Sequence, residues 1–374
     1  MIAFEARDPS RPDARRRRNP ARTDRPDPVK ILLTRLSAIG DVVFATALID
    51  AFRRAYPQAE LVWLVQPECA PLVQHHPQLS AVLVWPRQDW QALWRQRRLL
   101  RLAGEVHAFR RRLRAYRFDL AVDLQGLMKS GLLTWLSGAR ERIGLGSREG
   151  SRWLMTRTLP RGGDDQRIGS EYRYLAETLG LPVADFAMAL YTGASERGAA
   201  DQWIREYGLG DGYIVLCPFT TRPQKHWMEP RWAELAGRLC AELGMPTVLL
   251  GGPGDRAGAD RVRAQAKGDL VDLVGQTRLL EAAALIERAR LVIGVDTGLG
   301  HMGIALRRPT LLLFGATRPY LDTGRADARV LYHPLGCSPC RREPTCQGRY
   351  MCMRLITVEQ CLDAASALLG RTAP

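Results

Sequence analysis

From Arg290 to Gly315 the chain reads RLVIGVDTGLGHMGIALRRPTLLLFG: an apolar run, an abrupt polar turn, a helical pattern and a second apolar run. Apolar runs that do not alternate are strands covered on both faces, the mark of a parallel sheet flanked by helices. The turn Asp296-Thr297-Gly298-Leu299-Gly300-His301 then falls at the carboxyl end of a strand and the amino end of a helix. Unpaired N–H groups and the positive end of a helix dipole favour an anion there. Thr297 adds a hydroxyl, Gly298 and Gly300 admit close backbone approach, and His301 adds a ring nitrogen. An ordinary capped strand-to-helix turn fits the same residues, so this stretch constrains the fold before it defines a site.

The alternation occurs twice. Apolar runs at 29–34, 60–65, 81–85, 118–124 and 142–145 form a first set of strands, with helical patterns at 42–52 and 90–116. Residues 146–170 read as irregular, and a helix over 168–179 leads to a second set at 213–216, 247–250, 270–274, 291–295 and 310–314. Helical patterns at 227–243 and 279–288 separate members of that set. Two such arrays predict two doubly wound α/β domains whose polar loops face one another across a cleft. The expected division is an arm over 1–28, an amino-terminal domain over 29–180, a carboxyl-terminal domain over 181–330, and a Cys-rich segment with a final helix over 331–374.

A chain of 374 residues with 46% hydrophobic content can build two sizeable cores. No apolar run reaches the roughly 18 residues that cross a bilayer. The amino terminus has Arg and Pro but no apolar segment of a signal peptide. A cytoplasmic protein is therefore expected. The arm over 1–28 has too little apolar content to fold; it is a dispensable tail, the product of an upstream start codon, or a basic arm for anionic lipid. Net charge is +15, which calls for an anionic partner. Residues 87–117 hold ten Arg against Asp89 and Glu105, so +8 comes from one segment. Leu102, Val106, Phe109, Leu113 and Tyr116 form one helical stripe there, and the Arg face is either simply solvated or drawn to an anionic surface.

The loops limit the chemistry. The first strand-to-helix turn, Arg35 to Asp41, lacks G-x-G-x-x-G, and no G-x-x-x-x-G-K-[ST] occurs, which excludes a P-loop. No Asp-x-Asp occurs either, so a metal-dependent diphosphate site built on such a pair is unsupported. Thr220, Thr221 and Lys225, with the 296–301 turn, offer hydroxyls, a cation and a helix terminus to a diphosphate. Ser37, Gly40, Asp41, Gln125 and Lys129 stand at strand ends of the first domain. Asp41 is either a helix cap or a carboxylate aimed into the cleft, where it could act as general base on an acceptor hydroxyl. Direct displacement by that hydroxyl would invert the anomeric centre of a nucleotide sugar.

Four segments together resemble a known family: RLSAIGDVVFATALIDAFRRAYP (35–57), DLAVDLQGLMKSGLL (119–133), TTRPQKHW (220–227) and VDTGLGHMGIALRRPTLLLFGATRP (295–319). They resemble glycosyltransferase family 9, the lipopolysaccharide heptosyltransferases of GT-B fold, and most of all its heptosyltransferase I branch. The resemblance implies an inverting transfer from ADP-L-glycero-β-D-manno-heptose to the Kdo of Kdo-lipid A, by a peripheral protein at the cytoplasmic face of the inner membrane. It implies Asp41 as catalytic base. Thr220, Thr221 and Lys225 match positions on the diphosphate and sugar, and Asp296, Thr297, Gly298 and His301 match the donor loop. Asp255 falls near a family carboxylate that holds the ribose. No cofactor is implied for catalysis, and no nucleic acid. A transferase of the same family with another sugar or a protein acceptor, or a basic binding protein without catalysis, are the competing readings.

Cys337-x2-Cys340-x5-Cys346-x5-Cys352 places four thiols in 16 residues. Such a set could close a structural Zn or Fe site, or be reduced thiols in a basic loop. The Cys-rich tail resembles other branches of the family, including heptosyltransferase II-like and protein-directed members.

Overall fold

A computed structural model describes residues 28–164, 166–340 and 343–370. The amino-terminal half contains β1 (Lys30–Thr34), α1 (Ile39–Ala45), α2 (Ala47–Ala55), β2 (Glu60–Val65), α3 (Pro71–Gln74) and β3 (Ala81–Val84). It continues through α4 (Arg87–Arg95), α5 (Leu99–Ala115), β4 (Leu120–Asp123), α6 (Met128–Leu136), β5 (Glu141–Leu145) and β6 (Arg157–Leu159). Helices α7 (Ser170–Thr178) and α8 (Ala194–Glu206) lead into the second half. There follow β7 (Ile214–Cys217), α9 (Glu229–Leu243), β8 (Thr247–Leu249), α10 (Arg256–Gln265), β9 (Leu270–Asp272) and α11 (Leu279–Arg288). The set closes with β10 (Leu291–Val295), α12 (Gly298–Ala305), β11 (Thr310–Phe314), β12 (Ala328–Tyr332), α13 (Met351–Arg354) and α14 (Val358–Leu368).

Each half is one parallel sheet. The first has the order β3-β2-β1-β4-β5-β6 and the second β12-β11-β10-β7-β8-β9, the same winding written from opposite edges. The central strands are apolar throughout because helices cover both faces; Leu291 to Val295 and Thr310 to Phe314 are wholly buried. In each sheet the strand order reverses at one place, between β1 and β4 and between β7 and β10. Loops that leave the carboxyl ends of those strands diverge to opposite faces and open a crevice. Two crevices facing each other give the expected GT-B architecture.

The halves meet through an apolar seam. One continuous core joins Val42, Val43 and Tyr172 of the first half to Leu280, Ala283 and Met302 of the second. The amino ends of α1 and α12 cross so closely that a Cβ on Gly298 would stand 2.4 Å from Ile39 Cγ2, and one on Gly40 would stand 2.8 Å from His301 Cδ2. Glycine at both positions is what allows the approach. Away from the seam, Ile168 N–H donates to the Asp322 carbonyl and Asp322 N–H to that of Gln166, tying the first half's end to the loop after β11. The Ala189 N–H donates to Thr46 Oγ1 at 3.1 Å, a further strut at the crossing.

Several expectations need correction. The helix over 90–116 is two helices, α4 and α5, because Arg97 adopts φ of 56° and breaks the run. The irregular stretch 146–170 contains β6, and β12 was not expected; both are edge strands with mostly exposed or half-exposed residues, so they lack a continuous apolar run. Helix α9 begins at Glu229 rather than 227, with Pro230 in its first turn. The final helix α14 docks on α9 and β11, where Cys361 and Leu362 complete the second core. The Thr357 hydroxyl caps it by accepting from the Gln360 N–H. The arm over 1–28 lies, but for Pro28, outside the described residues. Among the described residues no helix is long and apolar enough to cross a membrane.

Candidate active site

The crevices unite in one cleft of about 920 Å³. Its first wall is the turn after β1, with Ser37, Gly40 and Asp41; its second is the loop after β7 and the turn after β10, with Thr220, Thr221, Lys225, Asp296, Thr297, Gly298 and His301. Asp255 lines it as well, in the single helical turn after β8, where its Oδ2 accepts from the Gly252 N–H at 2.8 Å. The residues singled out from sequence at positions 37–41, 220–225, 255 and 296–301 are thus gathered around one space, although they span most of the chain.

Asp41 stands in the first turn of α1, which begins at Ile39 and takes in Gly40. Its Oδ2 lies 2.5 Å from Arg35 Nη2, and the carboxylate is 44% exposed toward the cleft while the guanidinium is 5% exposed. Arg35 Nη1 donates to the Leu124 carbonyl at 3.0 Å, which ties it to the end of β4. Burial opposes the charge on Arg35, but nearby anionic groups, Asp41 among them, outweigh it and raise its pKa. The N-cap of α1 is Ala38, not Asp41 as the cap reading expected; Asp41 is a first-turn acid whose Oδ2 accepts from the Ala38 N–H at 3.4 Å, and its carboxylate also lines the cleft.

Across the cleft the donor-side turn is a charged chain of contacts. Lys225 Nζ lies 2.5 Å from Asp296 Oδ2, and Thr317 Oγ1 donates to the same oxygen at 2.5 Å. His301 Nε2 is 3.0 Å from Asp296 Oδ1, and the Tyr320 hydroxyl is 2.7 Å from His301 Nδ1. Burial alone would raise the pKa of Asp296, yet the His301 hydrogen bond and charge together with Lys225 hold it well below the usual carboxylate range. The Phe44 ring of the first half packs on His301 at 4.6 Å between centroids. The loop that carries Lys225 is closed on itself by His226, whose Nε2 is 2.8 Å from the Thr220 carbonyl. Thr297 precedes α12 with extended backbone and makes no cap bond through its hydroxyl, so the hydroxyl and the first N–H groups of α12 border the cleft.

Two expected acceptor-side residues are elsewhere. Gln125 is buried behind the cleft wall, where its Oε1 accepts from the Leu36 N–H at 3.1 Å and so braces the β1 turn. Lys129, in the first turn of α6, lies outside the cleft lining; burial, then the charge of Arg87, lowers its pKa. Sequence reasoning missed Arg35, Phe44, Thr317 and Tyr320. Arg35 and Phe44 flank or follow the matched RLSAIGD turn and could have been marked by position, whereas Thr317 and Tyr320 depend on the fold of the loop after β11.

Among the described residues no group of three or more His, Cys, Asp or Glu side chains is placed to hold an ion, although the four Cys lie near one another: burial and then the neighbouring thiols raise the pKa of Cys340 and Cys352. Cys352 is buried against the second core, where a Cβ on Gly315 would stand 2.8 Å from its Sγ, while Cys337 is exposed.

Two facing doubly wound sheets with a shared cleft, a helix amino terminus on one wall and a carboxylate on the other are the GT-B architecture. The profile described as glycosyltransferase family 9 (heptosyltransferase) matches residues 106–351. The chain belongs to that family. It is 29% identical to "Lipopolysaccharide heptosyltransferase 1" of Pseudomonas aeruginosa over 325 residues, covering 85% of this chain and 87% of the relative. It is 28% identical to the protein of the same name from Salmonella typhimurium, covering 79% and 91%. Among solved structures, a glycosyl transferase family 9 protein of Veillonella parvula superposes with a TM-score of 0.79 at 22% identity, covering 92% and 98%. The E. coli heptosyltransferase WaaC, solved with ADP-2-deoxy-2-fluoro heptose, gives 0.68 at 25% identity, covering 91% and 99%.

Proposed function

We propose that the chain transfers a heptose from ADP-L-glycero-β-D-manno-heptose to the Kdo of Kdo-lipid A with inversion, as a peripheral protein at the cytoplasmic face of the inner membrane. The reading takes residues 29–180 as the acceptor-side domain and 181–330 as the donor-side domain. The observation that carries it is the pairing across one cleft of Asp41 on one wall with Lys225 and the start of α12 on the other. Relatives of like length named for lipopolysaccharide heptose transfer support the sugar and acceptor class.

In this mechanism the acceptor hydroxyl attacks the anomeric carbon from the Asp41 side and gives its proton to Asp41. The bond from that carbon to the diphosphate oxygen breaks, and ADP leaves with the electron pair. Lys225, the hydroxyls of Thr220, Thr221 and Thr297, and the first N–H groups of α12 meet the growing negative charge. Lys225 exchanges its contact with Asp296 for the phosphate, while His301 keeps Asp296 paired. Asp255 receives the ribose hydroxyls. The four-Cys segment takes no part, and the transfer needs no cofactor.

The test offers purified protein ADP-, GDP- and UDP-sugars with Kdo-lipid A and follows nucleotide release. ADP should be released only from ADP-heptose with acceptor present. Asp41→Ala should abolish release while ADP binding persists; full turnover by that variant would end the assignment of the base.

A further inference from the structure

The α4–α5 hairpin ends in a tip that the rest of the protein does not cover. Its sequence, Trp94 to Arg101, is WRQRRLLR. Trp94 is 64% exposed, Leu99 53% and Leu100 91%. Helix α4 buries no residue, and α5 buries only Phe109 and Leu113, in its distal half. The left-handed backbone at Arg97 reverses the chain so that Trp94 and the Leu pair flank one turn. Arg95, Arg97, Arg98 and Arg101 surround them and are all exposed. Among the described residues no ion pair engages any of the four.

Unpaired guanidinium groups around exposed Trp and Leu match an anionic lipid interface. The aromatic and aliphatic groups enter the boundary between headgroups and acyl chains, and the cations meet lipid phosphates. A solvated helix face accounts for the Arg residues but leaves Leu100 unexplained. The hairpin also starts at the right place, since Arg87, the first residue of α4, lines the cleft.

We propose that residues 94–101 form an insertion tip that seats the protein on an anionic bilayer with the acceptor wall of the cleft turned to the membrane. The proposal rests on the reading of a lipid-borne acceptor, and its test separates the two. Full-length protein is sedimented with vesicles of phosphatidylcholine alone and with added phosphatidylglycerol, without donor. Wild type should bind only the anionic vesicles. A Leu99→Ser/Leu100→Ser variant and an Arg97→Gln/Arg98→Gln/Arg101→Gln variant should each bind at least about tenfold more weakly. Turnover on vesicle-embedded acceptor should fall in parallel, while turnover on a deacylated, water-soluble acceptor stays at the wild-type level. Unchanged vesicle binding overturns the proposal. So does an equal loss on both acceptor forms, which would put the tip in the acceptor site itself. So does a wild-type dimer that the Leu variant dissociates with no change in vesicle binding. If neither acceptor form supports ADP release while the vesicle result holds, the transferase reading fails and the tip stands.

Discussion

Arg35 Nη2 lies 2.5 Å from Asp41 Oδ2, and the same guanidinium reaches the Leu124 carbonyl through Nη1. A buried cation therefore fixes the carboxylate of one strand-end turn to the end of the neighbouring strand. Asp41 does not swing freely: Oδ2 is held, and Oδ1 is the oxygen that the proposed mechanism assigns to the acceptor hydroxyl.

Replacing Arg35 with Lys keeps a charge but removes the planar fork that spans both partners. We expect kcat to fall on the order of 10²-fold, within the range for a misplaced general base, with ADP affinity nearly unchanged. Stability should drop by only about 1–2 kcal/mol, since Asp41 is 44% exposed and its pairing is screened. Steady-state kinetics beside calorimetric ADP binding check this; parallel loss of both would show that Arg35 serves the whole cleft rather than Asp41.

Lys225→Ala removes the cation nearest the proposed leaving group and leaves Asp296 paired with His301 and Thr317. Loss of one such electrostatic contact lowers kcat by about 10²–10³-fold. Lys225→Arg should recover little, because a planar guanidinium does not reproduce the compact ammonium that sits 2.5 Å from Asp296. A variant with kcat near wild type and only a raised KM would move Lys225 from the transition state to ground-state binding.

The crossing of α1 and α12 gives a test by rescue. Gly298→Ala would gain about 1 kcal/mol in helix propensity, but its Cβ would meet Ile39 Cγ2 at 2.4 Å across the seam. We expect the clash to win, with a lower Tm and activity reduced more than tenfold. Adding Ile39→Ala should restore part of both, a non-additivity expected only for residues in contact. Strict additivity would place the defect elsewhere.

Acid stability follows from two groups whose pKa is lowered in the folded state, so that both lose stability as pH falls, in different windows. His76 is buried and its pKa is pushed down to about 4, so the folded state stays neutral while the unfolded state takes up a proton. Stability is full above about pH 6.5 and falls toward pH 4, by at most about 1.4 kcal/mol per pH unit. Asp296 is also held low, so its contribution persists above the ordinary carboxylate value and is lost only as pH falls below it. Urea titrations should show the upper part of the slope vanish in His76→Gln, while Asp296→Asn removes stability at neutral pH and flattens the curve only below pH about 4. An unchanged slope in the His76 variant would refute the first half.

The doubly wound halves were legible because β1, β2, β4, β7, β10 and β11 are buried on both faces and hence apolar without a break. Edge strands β6 and β12 are partly exposed, and no run marks them. The site was legible where it sits in the turns at the two strand-order reversals. It was not where a partner comes from far away: Tyr320 reaches His301 only because the loop after β11 folds back. Gln125 and Lys129 do not line the cleft, because a polar side chain after a strand can brace the turn from behind as readily as face the opening. The Cys spacing carried no information on direction, and Cys352 turned out to be needed by the core.

The identical winding of both sheets has a consequence for diversification. In the proposed reading, sugar choice and acceptor choice reside on separate scaffolds of the same winding, joined by an apolar seam and by the close contact at Gly40 and Gly298. The turns after β1 and β10 carry the crossing itself, so each half can vary them only at positions that face the cleft and not at Ile39, Gly40, Gly298 or His301. New donor–acceptor combinations are then reachable by recombining halves, provided the glycine contact is kept.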